Sequence, residues 1–415
     1  MRHNKEEFMR TMKRVAAVAL SVVVLMTSGV SAKAAVTDVQ PAKSSSEAVL
    51  KWAKKVGEPF DEKTYANNTV SKIKLVGNYL YVADDAKHRI MKIDKKDGTI
   101  LKEQKYCDES YIQGYVSSIG YGDGKVYVGY DNGRVQAFDE NTLESLWITD
   151  ENKNAINSDF VFTNGKLYFG TTAKTTDWYD NGAPFSYYVV TTSDDDKTKP
   201  DEEKTMKKVV ESKTGKFYLK KGVVLGKYIV ISDTAGTLTM IDTTNDKVTD
   251  TKDIGEAFSG NITYDEMTGT IYFVAGTNDL YGIKVSADGK LKDEKKVRLY
   301  ETGYSSTTPE VYNGKVYVSG SKGKAFQDKG YMAVADVSSD KYKVNYTVEL
   351  SNYSQCEPTI VKTGENSVRV YFTINDEPGG IYAIEDSKDA TSATLETVYE
   401  PTGDIKNTGC MSDVV

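Results

Sequence analysis

Histidine is nearly absent from this sequence, and that removes most imidazole chemistry at the outset. The 415 residues include two, His3 and His88. A Ser-His-Asp or Cys-His arrangement needs an imidazole as base. Only His88 lies outside the N-terminal segment, and it sits in "DDAKHRI", which reads as an exposed turn. No catalytic residue is assigned. Cysteine is almost as scarce, at Cys107, Cys356 and Cys410. There is no Cys-x-x-Cys, no His-x-x-x-His and no EF-hand loop, so no metal site is assigned. Long apolar runs are missing too: "VAAVALSVVVLM" (15–26) is too short for a comfortable membrane span. No stripe of basic residues stands out, and the net charge is −7. Such a chain repels nucleic acid and anionic lipid.

What is present begins with a targeting segment. Arg2, Lys5, Arg10, Lys13 and Arg14 precede the apolar run, and Ala32 and Ala34 follow it at the −3 and −1 positions for cleavage before Ala35. Residues 1–34 therefore read as a secretory signal peptide and residues 35–46 as a linker. The mature chain is expected to be secreted or held at the cell surface, outside the cytoplasm, with no direct membrane insertion. Removing six basic and two acidic residues takes the charge from −7 to −11. An odd cysteine count in an exported chain leaves at least one thiol free or intermolecular.

Tyrosine is abundant, at 29 residues, and it marks a repeat. A Gly, a short strand centred on an aromatic or aliphatic residue, a turn and a second strand recur along the chain. The centres fall at Tyr81, Tyr127, Tyr168, Ile229, Tyr272, Tyr317 and Tyr371, spaced by 46, 41, 61, 43, 45 and 54 residues. A period near 45 with several short strands per repeat is the signature of a β-propeller. Each repeat resolves into strands A to D. In the second these are "SSIGYG", "KVYVGY", "RVQAFD" and "ESLWIT", with "DNG" as the B-to-C hairpin turn. The fold class is all-β: a propeller of four-stranded antiparallel blades over residues 47–415. Seven repeats are complete. "EAVLKWAKKV" reads as an isolated D strand and "GCMSDVV" as an A strand. An eighth blade, incomplete because the natural protein continues past Val415, is the expectation; seven blades with stray ends is the alternative.

The stretch "AFDENTLESLW" resembles the tryptophan-docking motif of pyrroloquinoline-quinone-type (quinoprotein-type) propeller repeats, Ala-x-Asp-x-x-x-Gly-x-x-x-Trp. Ala137, Asp139 and Trp147 match, Thr142 is a common choice, and Leu143 replaces the Gly. The resemblance implies that Trp147 packs between blades and that Asp139 shapes the C-to-D turn. The turn Asp recurs at Asp94, Asp242 and Asp336, and Trp52 is a second docking-type Trp. The dehydrogenases of the family use a vicinal Cys-Cys pair, a calcium and a quinone. This chain has no adjacent Cys pair, so the expectation is a non-enzyme with no cofactor, similar to exported propeller modules of Gram-positive surface proteins and sharing its natural chain with further domains.

Candidate binding residues follow from topology. B-to-C and D-to-A connections share one face of a propeller. Two B-to-C connections are long, "TAKTTDWYDNGAPFS" and "GSKGKAFQDKG". They are expected to expose Trp178, Tyr179, Phe185 and Phe326. The D-to-A segments add Tyr106, Tyr111 and Tyr115, with Tyr304 and Tyr353 in equivalent segments. Aromatic residues in loops on a rigid scaffold suit a binding surface. The acidic run Ser193–Glu203 has oxygens for calcium but reads as a solvated C-to-D loop. Cys356 and Cys410 occupy equivalent positions before strand A, bonded or free. The functional expectation is a binding or scaffolding module for a protein or carbohydrate ligand. The alternative is an enzyme on the same scaffold, a carboxylate-based glycoside hydrolase or lyase, or a degenerate quinoprotein dehydrogenase.

Overall fold

A computed structural model describes residues 52, 54, 56, 71–106, 119–174, 184–194, 203–218, 220–258, 260–303, 305, 307–323, 329–354, 356–375 and 380–399. All lie in the unit spanning residues 36–415. The signal-peptide and linker expectations, and "GCMSDVV", fall outside the described residues. So does most of the N-terminal D strand.

Among the described residues there are seven sheets with four antiparallel strands in chain order, each built from one repeat. These blades span 74–105, 120–149, 161–211, 223–253, 263–298, 310–350 and 359–399. The residues of the sequence repeat fall in strand B of every blade, from Tyr79–Asp84 in blade 1 to Ser367–Ile374 in blade 7. Blade 2 has its strands at Gly120–Gly122, Lys125–Gly129, Val135–Asp139 and Ser145–Thr149. The A strands of blades 2 to 7 neighbour one another in order, as do the D strands of blades 3 to 6. First strands inside and fourth strands outside define a β-propeller.

Burial follows from that arrangement. Strand B of blade 2, "KVYVG", is buried at all five positions, because both faces meet neighbouring blades. Strand D of blade 5 is mostly exposed. The core is accordingly a series of interblade layers. Blades 1 and 2 share Tyr81, Ile90, Val126 and Phe138; blades 6 and 7 share Met332, Val334, Val370 and Phe372. In every blade the C–D pairing contains a register shift, for example between Ala137 and Phe138. A bulge there raises the local twist, which lets the outer strands fan out from the axis.

Tyrosine joins most blades to the next. Tyr81 donates to the Glu140 carbonyl in the C-to-D turn of blade 2 at 2.7 Å. Tyr168 donates to Asp246 in the turn of blade 4 at 2.6 Å, beside Lys166. The Tyr228 ring lies against Gly289 in the turn of blade 5, where a Cβ would come within 2.5 Å of it. Tyr317 donates to Asp386 of blade 7 at 2.7 Å. A buried phenol fills the gap and still satisfies its hydroxyl.

The junction of blades 2 and 3 is built differently. The C-to-D segment of blade 3 crosses back, and Glu203–Lys204 adds as a parallel fifth strand to strand D of blade 2. Lys204 is buried, with its ammonium 5.0 Å from the Trp147 ring centroid. Arg134 of blade 2 bonds Glu203 at 2.9 Å. The solvated-loop reading of the acidic run is thus corrected at its C-terminal end: pairing covers an otherwise open sheet edge.

The motif residues take these places. Asp139 accepts from the Asn141 and Thr142 amides, both at 2.8 Å, and these bonds, with that from Thr142 first, hold its carboxyl below the usual range. Asp94, Asp242 and Asp336 accept equivalent amide bonds from Lys96, Thr244 and Ser338. Trp147 is 1% exposed and packs with Tyr127 and with Leu167 and Phe169 of blade 3. Trp52 donates its Nε1–H to the Lys95 carbonyl at 2.8 Å. Its ring lies against Gly98 of blade 1, leaving no room for a Cβ. Leu143, in the Gly position of the motif, has φ of 60° and is fully buried. Leu143→Gly relieves about 1 kcal/mol of backbone strain but gives up about 2–5 kcal/mol of packing. We expect a net loss of stability, measured by urea denaturation.

Candidate functional site

The face bearing the B-to-C and D-to-A connections is tied down by short side chains. Ser71 Oγ accepts from the Ala83 amide at 2.9 Å. Ser158 Oγ accepts from the Gly170 amide at 2.7 Å, and Thr307 donates to the Ser319 carbonyl at 2.9 Å. In each case a hydroxyl just ahead of strand A binds strand B of the same blade. Cys356 fills this role in blade 7: its Sγ accepts from the Thr373 amide at 3.0 Å, and it is a free thiol. Cys107 and Cys410 lie outside the described residues. Aspartates do the equivalent work in the B-to-C turns. Asp233 is buried and accepts from the amides of Ala235, Gly236 and Thr237.

Several aromatic residues proposed for this surface are elsewhere. Phe185 is 1% exposed and packs edge-to-face on Phe217 with centroids 4.7 Å apart. Its expected display to ligand is corrected. It immediately precedes strand C, Ser186–Thr191, where an apolar ring is drawn into the layer beneath. Tyr106 and Tyr353 are also buried; Tyr106 packs on Tyr130 at 5.0 Å, and Tyr353 accepts from Asn375 Nδ2 at 2.6 Å. Trp178, Tyr179, Phe326, Tyr111, Tyr115 and Tyr304 lie outside the described residues. His88 ends a 3-10 turn in the left-handed conformation with its ring edge-on to Tyr106.

A different group of residues converges at the axis on this face. Lys72 and Lys74 come from the start of blade 1, Asp159 from just ahead of strand A in blade 3, and Lys220 and Lys221 from just ahead of strand A in blade 4. Lys72 Nζ reaches Asp159 at 3.3 Å, past the intervening blade 2. Lys220 is partly buried. Burial first, and then the charge of Lys72, lower its pKa to about 8, with Asp159 opposing. Lys74 is lowered by burial and by Lys221, again opposed by Asp159. The backbone here is fixed across blades. The Lys221 amide donates to Asn261 Oδ1 at 3.2 Å, and Asn261 Nδ2 donates to Thr308 Oγ1 at 3.1 Å. Sequence reading missed these lysines, because each is a single residue among 53 basic ones and only ring formation selects them.

The strand order and the interblade layers define a β-propeller of four-stranded antiparallel blades. No family model matches the chain and no curated protein is similar to it. Among solved structures it is similar to a europium-containing methanol dehydrogenase, at 11% identity and a TM-score of 0.52 over 73% of each chain. It is also similar to the quinohemoprotein alcohol dehydrogenase ADHIIG from Pseudomonas putida HK5, at 12% identity and a TM-score of 0.51, over 74% of this chain and 62% of that one. At this identity the likeness establishes the fold. The described axial residues do not suit the calcium that such a fold brings to mind. Calcium needs several oxygen donors, and among the described residues here lysines accompany one carboxylate that is already paired with Lys72.

Proposed function

We propose that the chain is an exported, non-enzymatic β-propeller of a surface protein. It binds or scaffolds a protein or carbohydrate ligand on the face bearing the B-to-C and D-to-A connections. The observation that carries this reading is the convergence of blades 1, 3 and 4 on the axial mouth. The segments just ahead of strand A present charged side chains there. The long connections around 172–186 and 320–330 belong to the same face, and Trp178, Tyr179, Phe326 and Tyr111 are the proposed loop contacts. Burial assigns Phe185 to the scaffold instead.

The test compares Trp178→Ala and Phe326→Ala with the parent chain on a glycan array and on immobilised cell-wall proteins. Retention is expected to fall about tenfold or more in each variant. Unchanged retention overturns this site. An absorbance scan and metal analysis of the purified protein address the rival enzyme reading. A bound quinone or stoichiometric calcium overturns the scaffold assignment.

A further inference from the structure

Between blades 6 and 7, on the face bearing the A-to-B and C-to-D connections, lies a cavity of about 260 Å³. Its floor is the pair Lys315 and Asp386, with Tyr317 beside them. Lys315 Nζ donates to Asp386 Oδ2 at 2.9 Å and to the Ser387 carbonyl, and Tyr317 donates to the same carboxylate oxygen at 2.7 Å. Charge on the floor is thus balanced within the protein, and the cavity asks for no counter-ion. The walls come from both blades. Tyr312 ends strand A of blade 6, Glu310–Tyr312, and Asn313 begins the turn after it. Asn366 and Val368 stand at the start of strand B in blade 7, and Lys388 follows strand C. The Lys388 amide donates to the Asn366 carbonyl at 3.0 Å, which fixes those two residues beside each other. Among the described residues, the side chains of Asn313, Asn366 and Lys388 have no hydrogen-bond partner.

We propose that this cavity is a subsite for a single neutral sugar ring of the hexose class. A cavity of about 150 Å³ holds a benzene ring, so one of about 260 Å³ takes one hexose and no longer chain. The half-buried Tyr312 ring and the buried Val368 supply an apolar wall for the C–H face of a sugar. The two amides both donate and accept, as sugar hydroxyls do, and Lys388 adds a donor at the rim. A few polar groups set in such a wall fix a ligand's orientation. The notch between blades 3 and 4 is an internal comparison. It has the same Asn-Gly-Lys turn, with Asn164 and Lys166, but Gly226 and Thr243 complete it and no aromatic ring lines it. Joining blades through the lysine therefore requires neither Tyr312 nor Asn366. This subsite lies on the face opposite the loop contacts proposed above and does not depend on them.

Titration of the full chain with the methyl glycosides of glucose, galactose and mannose tests this, by calorimetry and saturation-transfer NMR, with glycerol at equal concentration as control. One-to-one binding of at least one glycoside is expected, with Kd on the order of 1–10 mM. The double variant Asn313→Gly, Asn366→Ala should weaken it about tenfold or more. Glycine keeps the turn, because Asn313 has φ of 48°. If the double variant fails to fold, Lys388→Ala at the exposed rim serves instead, with about a threefold loss expected. No glycoside binding up to about 50 mM, equal binding of glycerol, or parental affinity in the folded variant overturns the subsite. Trp178→Ala and Phe326→Ala should leave glycoside affinity unchanged. Loss of binding in those two variants alone assigns the sugar to the loop face and overturns this inference, while the loop contacts stand.

Discussion

Replacing Asp386 with alanine is expected to lower stability by about 3–5 kcal/mol, the cost of stranding a buried charge. Asp386 closes strand C of blade 7 and is fully buried. It accepts from Lys315 Nζ at 2.9 Å, Tyr317 at 2.7 Å and Tyr346 at 2.5 Å. All four groups are buried between blades 6 and 7, and the Lys315 side chain is only 8% exposed. Removing the carboxylate leaves the two phenols without this acceptor and the ammonium with the Ser387 carbonyl alone. Urea denaturation at pH 7 measures the loss. The double variant Lys315→Met with Asp386→Leu separates pairing from packing. It should recover only part of the stability: the stranded ammonium is gone, but the Tyr317 and Tyr346 hydroxyls still lack their acceptor. If Asp386→Ala alone leaves the urea midpoint unchanged, this junction is not what holds blades 6 and 7 together.

Raising the pH above about 10 should unfold the protein cooperatively. Burial pushes the Tyr127, Tyr168, Tyr187, Tyr317, Tyr331 and Tyr346 hydroxyls up; Asp386 adds to it for Tyr317 and Tyr346, as Asp246 does for Tyr168. The native state therefore holds protons that the unfolded chain releases once pH passes the ordinary tyrosine range. Each such tyrosine removes about 1.4 kcal/mol of stability per pH unit there. Lys220 and Lys74 act in the opposite sense. Their lowered values mean that the unfolded chain binds more protons below the ordinary lysine range, for Lys220 from about pH 8, so their contribution to stability rises across that window. The expected profile is level or slightly rising to pH 9 and steeply falling above 10. Absorbance at 295 nm should show these tyrosines ionising together with the loss of circular dichroism. Ionisation well before unfolding would contradict their burial.

Much of this architecture is legible in the sequence for a physical reason. Strand B is covered on both sides, so it reads as an unbroken apolar run around one aromatic residue, and that centre recurs from Tyr81 to Tyr371. Turn aspartates such as Asp139 act on amides two and three residues ahead, and local bonds leave local signals. The loop aromatic Phe185 misled because its place beside a long insertion looks the same whether the ring faces water or Phe217. The returning strand Glu203–Lys204 is two residues long and pairs with another blade, so no periodicity announces it. The axial lysines are harder still. Lys72 and Lys220 are brought together only when three blades have taken their places. Ser71 and Ser158 were within reach, since each precedes its partner, Ala83 or Gly170, by the same distance along the chain.

The tyrosine contacts between blades also have a direction. Tyr81, Tyr168 and Tyr228 each reach a turn that lies later in the chain, and Tyr317 reaches a later strand. During synthesis every one of these side chains waits for a partner that has yet to emerge, so a nascent blade is finished only by its successor. The strand Glu203–Lys204 runs the other way, from blade 3 back onto blade 2. It latches those two into a pair that can mature together, a natural checkpoint in an otherwise forward queue.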